Sequence, residues 1–240
     1  MSNPAIDNPR QEVEEALAAG DLSGLLTFTG RLHGHFCPGS ALGVMASAYG
    51  LQLLETGYTP SSGMEHLMAV VETNSCFADG VQVVSGCTLG NNSLVYRDLG
   101  RMAVSFTVRG ERTGVRVRVR PDFRYHVERE VPEFFPLMDT VVRNREGTAE
   151  QEAAFKLKGR EAAFALVRLP FEDILTAETV RPTLPEYAPI AASVTCRSCG
   201  EQTMTTKVVP HGEGAGLCLI CSGAQYYQVE GKGIVARKGM

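Results

Sequence analysis

The chain has 240 residues, 44% of them hydrophobic and 21% charged, and its 23 basic and 27 acidic side chains leave a formal net charge of −4. This length suits one sizeable core with a small accessory module, and the slight acidity excludes a general electrostatic attraction to nucleic acid or membranes. Residues 1–20 lack a secretory signal pattern, and no apolar run reaches the roughly 18 residues of a membrane span. We therefore expect a cytoplasmic protein with no membrane or nucleic-acid partner, in which seven cysteines serve metal binding or catalysis rather than disulfides.

Hydrophobic spacing predicts a chain that mixes helices with a small sheet. The predicted elements are helices within 11–29, at 41–55 and at 76–84, strands at 67–71, 102–108 and 114–120, helical structure from 130 to 169, and a turn or short helix at 171–177. The two later strands are joined by a hairpin loop, and small residues in the 41–55 helix indicate close contact with a neighbour. We therefore predict an α+β fold, with helices packed on a largely antiparallel sheet.

Three arginines share one face of the predicted strand at 114–120. They are Arg116, Arg118 and Arg120, and they alternate with valines. Because side chains alternate between the two faces of a strand, one face is apolar and the other strongly basic. The basic face is either a solvated outer surface or a surface that meets an anionic ligand or an acidic partner.

The stretch at 33–39 reads His-Gly-His-Phe-Cys-Pro-Gly and concentrates side chains that ligate transition metals or activate nucleophiles. Pro38 suits the first turn of a helix, which places Cys37 at the N-cap, where the helix dipole favours a thiolate. His33 and His35 are two residues apart, so they cannot share a helix face, but they can converge on an ion from an irregular loop. The alternative is a buried cysteine beside two turn histidines.

A second cluster follows at 72–91. Glu72, Cys76, Asp79 and Gln82 are three or four residues apart, so a helix that starts near residue 74 or 75 carries Cys76 and Asp79 on one face. Taken alone, Asp79 suits a surface or capping residue. Taken with the stretch at 33–39, it can complete a single pocket.

The C-terminal region contains two Cys-x-x-Cys pairs separated by 18 residues: Cys196, Cys199, Cys218 and Cys221. This spacing is typical of a tetrahedral structural zinc site with four thiolate ligands. A hairpin strand at 203–209 and a helix at 221–229 would make the module a treble clef. A redox-active dithiol is the alternative, but it leaves the second pair unexplained. We predict a core domain at 1–180, a proline-rich linker at 181–192 and a zinc finger at 193–240.

The two core motifs together resemble the signature of the FmdE family, which takes its name from a component of formylmethanofuran dehydrogenase. The resemblance rests on the stretch at 33–39 with Gly43, on Glu72, Cys76, Asp79, Gln82, Gly86, Cys87, Gly90 and Asn91, and on the turn at 98–101. It covers about residues 25–125, and Arg101 departs from the expected Lys while keeping its charge. It implies an α+β homodimer whose groove, near the dimer interface, holds His33, His35, Cys37, Cys76 and Asp79, with Cys87 and Asn91 close by.

The resemblance implies a metal- or thiol-dependent site. His35, Cys37 and Cys76 would ligate Zn, Ni or Fe, or Cys37 would act as a nucleophile; His33 is then a further ligand or a base, and Asp79 an orienting acid. We expect an enzyme or an accessory component of a molybdenum or tungsten formylmethanofuran- or formate-dehydrogenase-type oxidoreductase. The sequence has no ferredoxin-type cysteine run or dinucleotide fingerprint of its own. The alternatives are a metal-sensing regulator whose finger binds a protein or nucleic acid, and a purely structural component of a complex.

Overall fold

The computed structural model describes residues 8–54 and 65–239. The chain divides into two compact units, Met1–Leu184 and Pro185–Met240, and the division falls inside the predicted linker at 181–192. Across the described ranges, no helix has the length and hydrophobicity that crossing a bilayer requires. The predicted end of the 41–55 helix, at Glu55, lies outside the described residues.

The first unit combines helices with one sheet. Its helices are α1 (Gln11–Ala18), α2 (Leu22–His33), α3 (Pro38–Leu53), α4 (Cys76–Ser85), α5 (Phe123–Glu130), α6 (Phe134–Met138), α7 (Ala149–Leu166) and α8 (Phe171–Ile174), with a π-helical turn at Asp139–Arg143. Its strands are β1 (Leu67–Val71), β2 (Leu94–Tyr96), β3 (Ala103–Val108), β4 (Gly114–Val119) and β5 (Leu175–Val180).

The sheet has five strands in the order β2-β1-β3-β4-β5. The β1–β2 pair is parallel, and the other three pairs of these strands are antiparallel, which confirms the predicted α+β class. Every residue of β1 is buried, as the continuous apolar run predicted. Strands β2 and β5 were not predicted, because β2 has three residues and β5 carries polar side chains whose strand conformation depends on pairing with β4.

Helix α3 is the centre of the first unit. It contacts α4 and α7 as well as β3 and β4, and most of its residues are buried. Gly50 lets the helix lie directly on the sheet, because a Cβ there would be 2.7 Å from the ring of Phe106 and 3.2 Å from Val117. The prediction of a buried helix in close contact with its neighbours is confirmed.

The predicted continuous helical structure from 130 to 169 is wrong in detail. The chain forms α6, a π-helical turn, a loop at 144–148 and then α7. Helix α7 starts afresh because Thr148 and Gln151 form a reciprocal capping box, with Gln151 N donating to Thr148 Oγ1 at 3.3 Å. Helix α5, which precedes this segment, was not predicted either.

The basic face of β4 is occupied by carboxylates of the chain itself. Arg116 forms a bidentate pair with the buried Glu72, with distances of 2.7 and 2.9 Å, and also bonds Glu178 on β5 at 2.8 Å. Arg101 adds a 2.7 Å contact to Glu72, and these guanidinium groups lower the pKa of the Glu72 carboxyl, with Arg116 as the largest cause. The network therefore fixes the sheet internally. Arg120 likewise pairs with Asp122, so two of the three guanidinium groups on this face are already engaged and do not await an anionic ligand.

The second unit contains two small hairpins. Strands β6 (Ser193–Thr195) and β7 (Gln202–Met204) flank the first cysteine pair, a 3₁₀ turn follows at Thr205–Lys207, and β8 (Gln225–Glu230) pairs with β9 (Gly233–Lys238). The predicted helix at 221–229 is wrong, and with it the helical half of a treble clef. The tyrosines and valine of β8 favour a pleated strand, and the short turn at 231–232 lets β9 supply the backbone hydrogen bonds.

Candidate functional site

The core site lies where the N-termini of α3 and α4 meet. Glycines allow the two helices to cross closely: a Cβ at Gly80 would be 2.6 Å from both Ser40 O and Val44 N, and Gly43 has no room for one beside Phe77. Because Cys37 and Cys76 stand at the starts of these helices, the crossing brings together two thiols that are 39 residues apart in the chain. A Cβ placed at Gly39 would be 3.8 Å from each sulfur.

Cys37 is the N-cap of α3, as predicted from Pro38. Its Sγ accepts a hydrogen bond from the backbone N–H of Ser40 at 3.4 Å, and the Ser40 hydroxyl lies 3.6 Å from it. A hydrogen bond from the Cys76 thiol, the contacts with Ser40 and the nearby His33 lower the pKa of Cys37 to about 4, despite burial. Cys76 keeps its proton, and its pKa is raised, because it donates to Cys37.

His33 connects Cys37 to a carboxylate. Its Nδ1 donates to Asp79 Oδ2 at 2.7 Å, and its Nε2 lies 3.7 Å from Cys37 Sγ. Burial alone would lower the pKa of His33, but the hydrogen bond to Asp79 and the Cys37 sulfur raise it overall. Gln82 holds the other Asp79 oxygen at 3.1 Å. The three side chains form a thiolate–imidazole–carboxylate series, the order of groups in cysteine nucleophiles and in carboxylate–histidine–metal centres alike.

His35 completes a mixed donor set with His33 and Cys37. One ligand atom from each of these residues lies within 4.8 Å of the others, and the two imidazole rings have centroids 4.2 Å apart. His33 is the last residue of α2 and His35 follows in the loop, because Gly34 ends the helix with a φ of 81°. Two imidazoles and a thiolate suit a transition metal with an open coordination position. Cys76 is not part of this donor set and contacts it through Cys37.

Two residues that the family resemblance placed near the groove lie elsewhere. Cys87 follows the C-terminal end of α4, and ten residues of helix, about 15 Å, separate that end from Cys76. Its thiol is buried and donates to Leu67 O at 3.5 Å, and burial raises its pKa to about 11. Asn91 bonds Thr88 N and Gly86 O and so shapes the 86–93 loop. Both side chains are structural.

A cavity of about 860 Å³ opens beside the two thiols, and the sequence did not predict it. Its far wall comes from α5, α6, the π-helical turn and α7, between residues 123 and 156. The signal in the sequence was the concentration of five phenylalanines at 123, 134, 135, 155 and 164, four of which line the cavity. A hydrophobic pattern cannot distinguish a cavity wall from an ordinary core face, so this signal was not sufficient.

The second unit holds a separate four-cysteine cluster. The ligand atoms of Cys196, Cys199, Cys218 and Cys221 lie within 4.8 Å of one another. Cys218 N donates to Cys196 Sγ at 3.3 Å, and Cys221 N to Cys218 Sγ at 3.5 Å. Backbone N–H groups of Cys199, Cys218 and Ser198 lower the pKa of Cys196 to about 6. Four sulfurs in this arrangement fit a zinc finger, with no coordination position left open.

These features define a metal-binding protein with an α+β core, one mixed His/Cys site and one four-cysteine finger. The profile of the FmdE family, described as "FmdE, Molybdenum formylmethanofuran dehydrogenase operon", matches residues 32–176. The chain therefore belongs to the FmdE family.

Two further comparisons agree with that assignment. A protein of Archaeoglobus fulgidus named "Probable S-adenosyl-L-methionine-binding protein" is 39% identical over 229 residues, which cover 94% of this chain and 60% of that protein. This chain thus spans about three fifths of the length of that relative. The crystal structure of an FmdE-like protein of tungsten formylmethanofuran dehydrogenase type from Syntrophus aciditrophicus superposes with a TM-score of 0.52 and 21% identity, and covers 84% of this chain and 92% of that one. This second likeness supports the fold.

Proposed function

We propose that the chain is a metal- and thiol-dependent protein in which the core site performs chemistry and the finger is structural. The observation that carries the proposal is the series Cys37–His33–Asp79, with His35 within ligand distance. A structural site does not need a carboxylate behind an imidazole, or a thiolate that faces a cavity. The finger's four-cysteine cluster contains no imidazole and needs none.

In this proposal His33, His35 and Cys37 hold a transition metal, with Zn, Ni and Fe as the candidates that such ligands accept. A metal bound there supplies a Lewis acid and an open position for substrate. Asp79 fixes the imidazole of His33 so that Nε2 faces Cys37, which is the usual task of a carboxylate behind a histidine ligand. Cys76 stabilises the Cys37 thiolate by donating a hydrogen bond and holds a proton beside the site.

We further propose that the protein serves a molybdenum or tungsten oxidoreductase of the formylmethanofuran or formate dehydrogenase type, as an enzyme or accessory component, and that it works as a homodimer. Support for the first point comes from the family description and from the tungsten enzyme named for the Syntrophus protein. Co-purification with the large oxidoreductase subunits, and the mass of the free protein by light scattering, test the two points separately.

A second candidate function is the binding of S-adenosyl-L-methionine. The observation in its favour is the name of the Archaeoglobus relative, which aligns with 94% of this chain. Calorimetric titration of the full chain with S-adenosyl-L-methionine tests this candidate. Saturable binding would support it, and absence of heat at millimolar ligand would remove it.

The test of the main proposal is a metal count on three variants. Wild-type protein should contain two metal ions per chain, and both Cys37→Ser and Cys196→Ser should lose one. Serine is a good N-cap, so Cys37→Ser removes the thiolate while retaining the start of α3. Cys87→Ser is the matched control, because this buried thiol belongs to neither cluster. An unchanged metal count in Cys37→Ser, with no loss of thiol reactivity, would contradict the proposal.

A further inference from the structure

The cavity beside the core site is large enough for a molecule of considerable size. Its volume is about 860 Å³, within the range of small-molecule sites, and its inner end is lined by His35, Cys37 and Cys76. The cavity therefore leads from the surface of the first unit to the reactive sulfur. Any molecule that fills it is held against Cys37.

The walls of the cavity are apolar and rich in aromatic rings. Phe123, Phe134, Phe135 and Phe155 line it together with the thioethers of Met102 and Met138. The rings of Phe134 and Phe155 stack with centroids 5.6 Å apart. Such walls exclude water and favour an aromatic or aliphatic body, and methionine side chains adapt to its shape.

Two cations stand at the rim. Arg145 and Lys156 line the cavity with exposed side chains, and the described part of the chain provides neither with an ion pair or a side-chain hydrogen bond. One carboxylate, Glu152, also lies at the rim, so the balance there is positive. An anionic group on the bound molecule would meet these cations while its apolar body lies deeper.

The backbone at the rim is irregular in two successive places. The π-helical turn at Asp139–Arg143 contributes Val141 and Val142 to the cavity wall, and Arg145 has a φ of 61°, in the left-handed region. The loop also packs tightly, since a Cβ at Gly147 would be 2.7 Å from Val141. π-Helical turns and left-handed non-glycine residues are uncommon and concentrate at ligand sites.

From these observations we infer that the cavity binds the molecule on which the core site acts, and that this molecule has an aromatic or aliphatic body and one anionic head group. The body lies among the phenylalanines, the head group meets Arg145 and Lys156, and the opposite end faces Cys37. This inference rests on the proposed function of the core site. It adds the chemical class of the substrate.

A matched pair of fluorescent probes tests the inference on the full chain. 8-Anilinonaphthalene-1-sulfonate has an aromatic body and one anionic group, and N-phenyl-1-naphthylamine has the same body without the charge. Both should bind at one site per chain. The variant with Arg145→Glu and Lys156→Glu together should bind the sulfonate at least tenfold more weakly and the uncharged probe within twofold of wild type.

Arg160→Glu is the control, because it makes the same change of charge on the exposed side of α7, away from the cavity lining. Lys156→Glu alone should show part of the effect, and it keeps the test valid if the double variant is unstable. Absence of sulfonate binding, or equal weakening by Arg160→Glu, would overturn the inference.

A protection experiment separates this inference from the proposed function. Cys37 is alkylated with iodoacetamide and followed by peptide mass spectrometry, with and without saturating N-phenyl-1-naphthylamine. Slower alkylation of Cys37 but not of Cys199 supports a cavity that leads to the thiol. If Cys37 reacts at the same rate with the probe bound, the inference fails and the proposed function stands. If Cys37 is inert in metal-free protein while the probe binds, the thiol chemistry fails instead.

Discussion

The core site and the finger both bring cysteines together, but they do so by different means. In the finger, four sulfurs come from two short turns, and backbone N–H groups point at them. In the core, the donors are mixed and come from a helix end, a loop and two helix N-termini. A closed set of four thiolates holds a metal for structural reasons, whereas a mixed set beside a cavity leaves room for a substrate. Similar residues thus serve different purposes because their surroundings differ.

The largest expected effect is the loss of the finger when its metal is removed. A unit with two small hairpins has little core of its own, and metal binding contributes about 10 kcal/mol or more in comparable modules. Treatment with a chelator, or Cys196→Ser, should therefore abolish the protection of backbone amides in β8 and β9 against hydrogen exchange. The amides of α3 and β1 should keep their protection. Protected β8–β9 amides in metal-free protein would break the comparison.

A smaller effect is expected where helix packing, rather than metal, positions the thiols. Gly80→Ala forces a Cβ against Ser40 and Val44, and overpacking of this kind costs about 2 kcal/mol. The variant should show that loss in urea unfolding of the first unit, and faster dissociation of any metal from the core site. Gly90→Ala is the control, because its Cβ would meet only Thr88 Oγ1, at 3.9 Å. Equal stabilities for the two variants would mean that the helix crossing does not hold the site.

The smallest effect concerns the acidity of Cys37 and leaves stability nearly unchanged. Because the pKa of Cys37 is lowered to about 4, its alkylation in metal-free protein should stay fast down to about pH 5 and decline as protonation removes the thiolate. Asp79→Asn weakens the protonated form of His33 and so raises the pKa of Cys37. The decline should then occur about one pH unit higher.

Asp98→Asn is the control for this experiment, because Asp98 accepts a hydrogen bond from Tyr96 and lies outside the core donor set. A pH profile of Asp79→Asn that overlays the wild-type profile would remove Asp79 from the series. It would leave the donor set of His33, His35 and Cys37 untouched.

Local sequence accounts for a large part of this protein. The longer helices and strands up to β4, the α+β class and the N-cap at Cys37 follow from hydrophobic spacing and from Pro38. Both cysteine clusters were also predictable, because a Cys-x-x-Cys turn or a His-x-His-x-Cys segment places its donors within a few ångströms by covalent connection alone.

Other features depend on contacts between segments that are distant in the chain. The predicted helix at 221–229 became β8 because β9 offers a pairing partner, and β5 exists because β4 pairs with it. Strand structure depends on such partners more than helix structure does. The cavity required α5, α6 and α7 to fold back onto α3, and no local pattern reports where such a fold leaves space.

The sequence by itself determined which side chains can bind metal or act as nucleophiles, because chemical type and short-range spacing do not depend on the fold. Only the tertiary structure decided which of them act together. The crossing of α3 and α4 joined Cys37 to Cys76, and the same packing placed His33 2.7 Å from Asp79, 46 residues away. It also moved Cys87 to the far end of α4 and directed Glu72 to Arg116. Long-range packing, rather than the motif, therefore turns the stretch at 33–39 into a site.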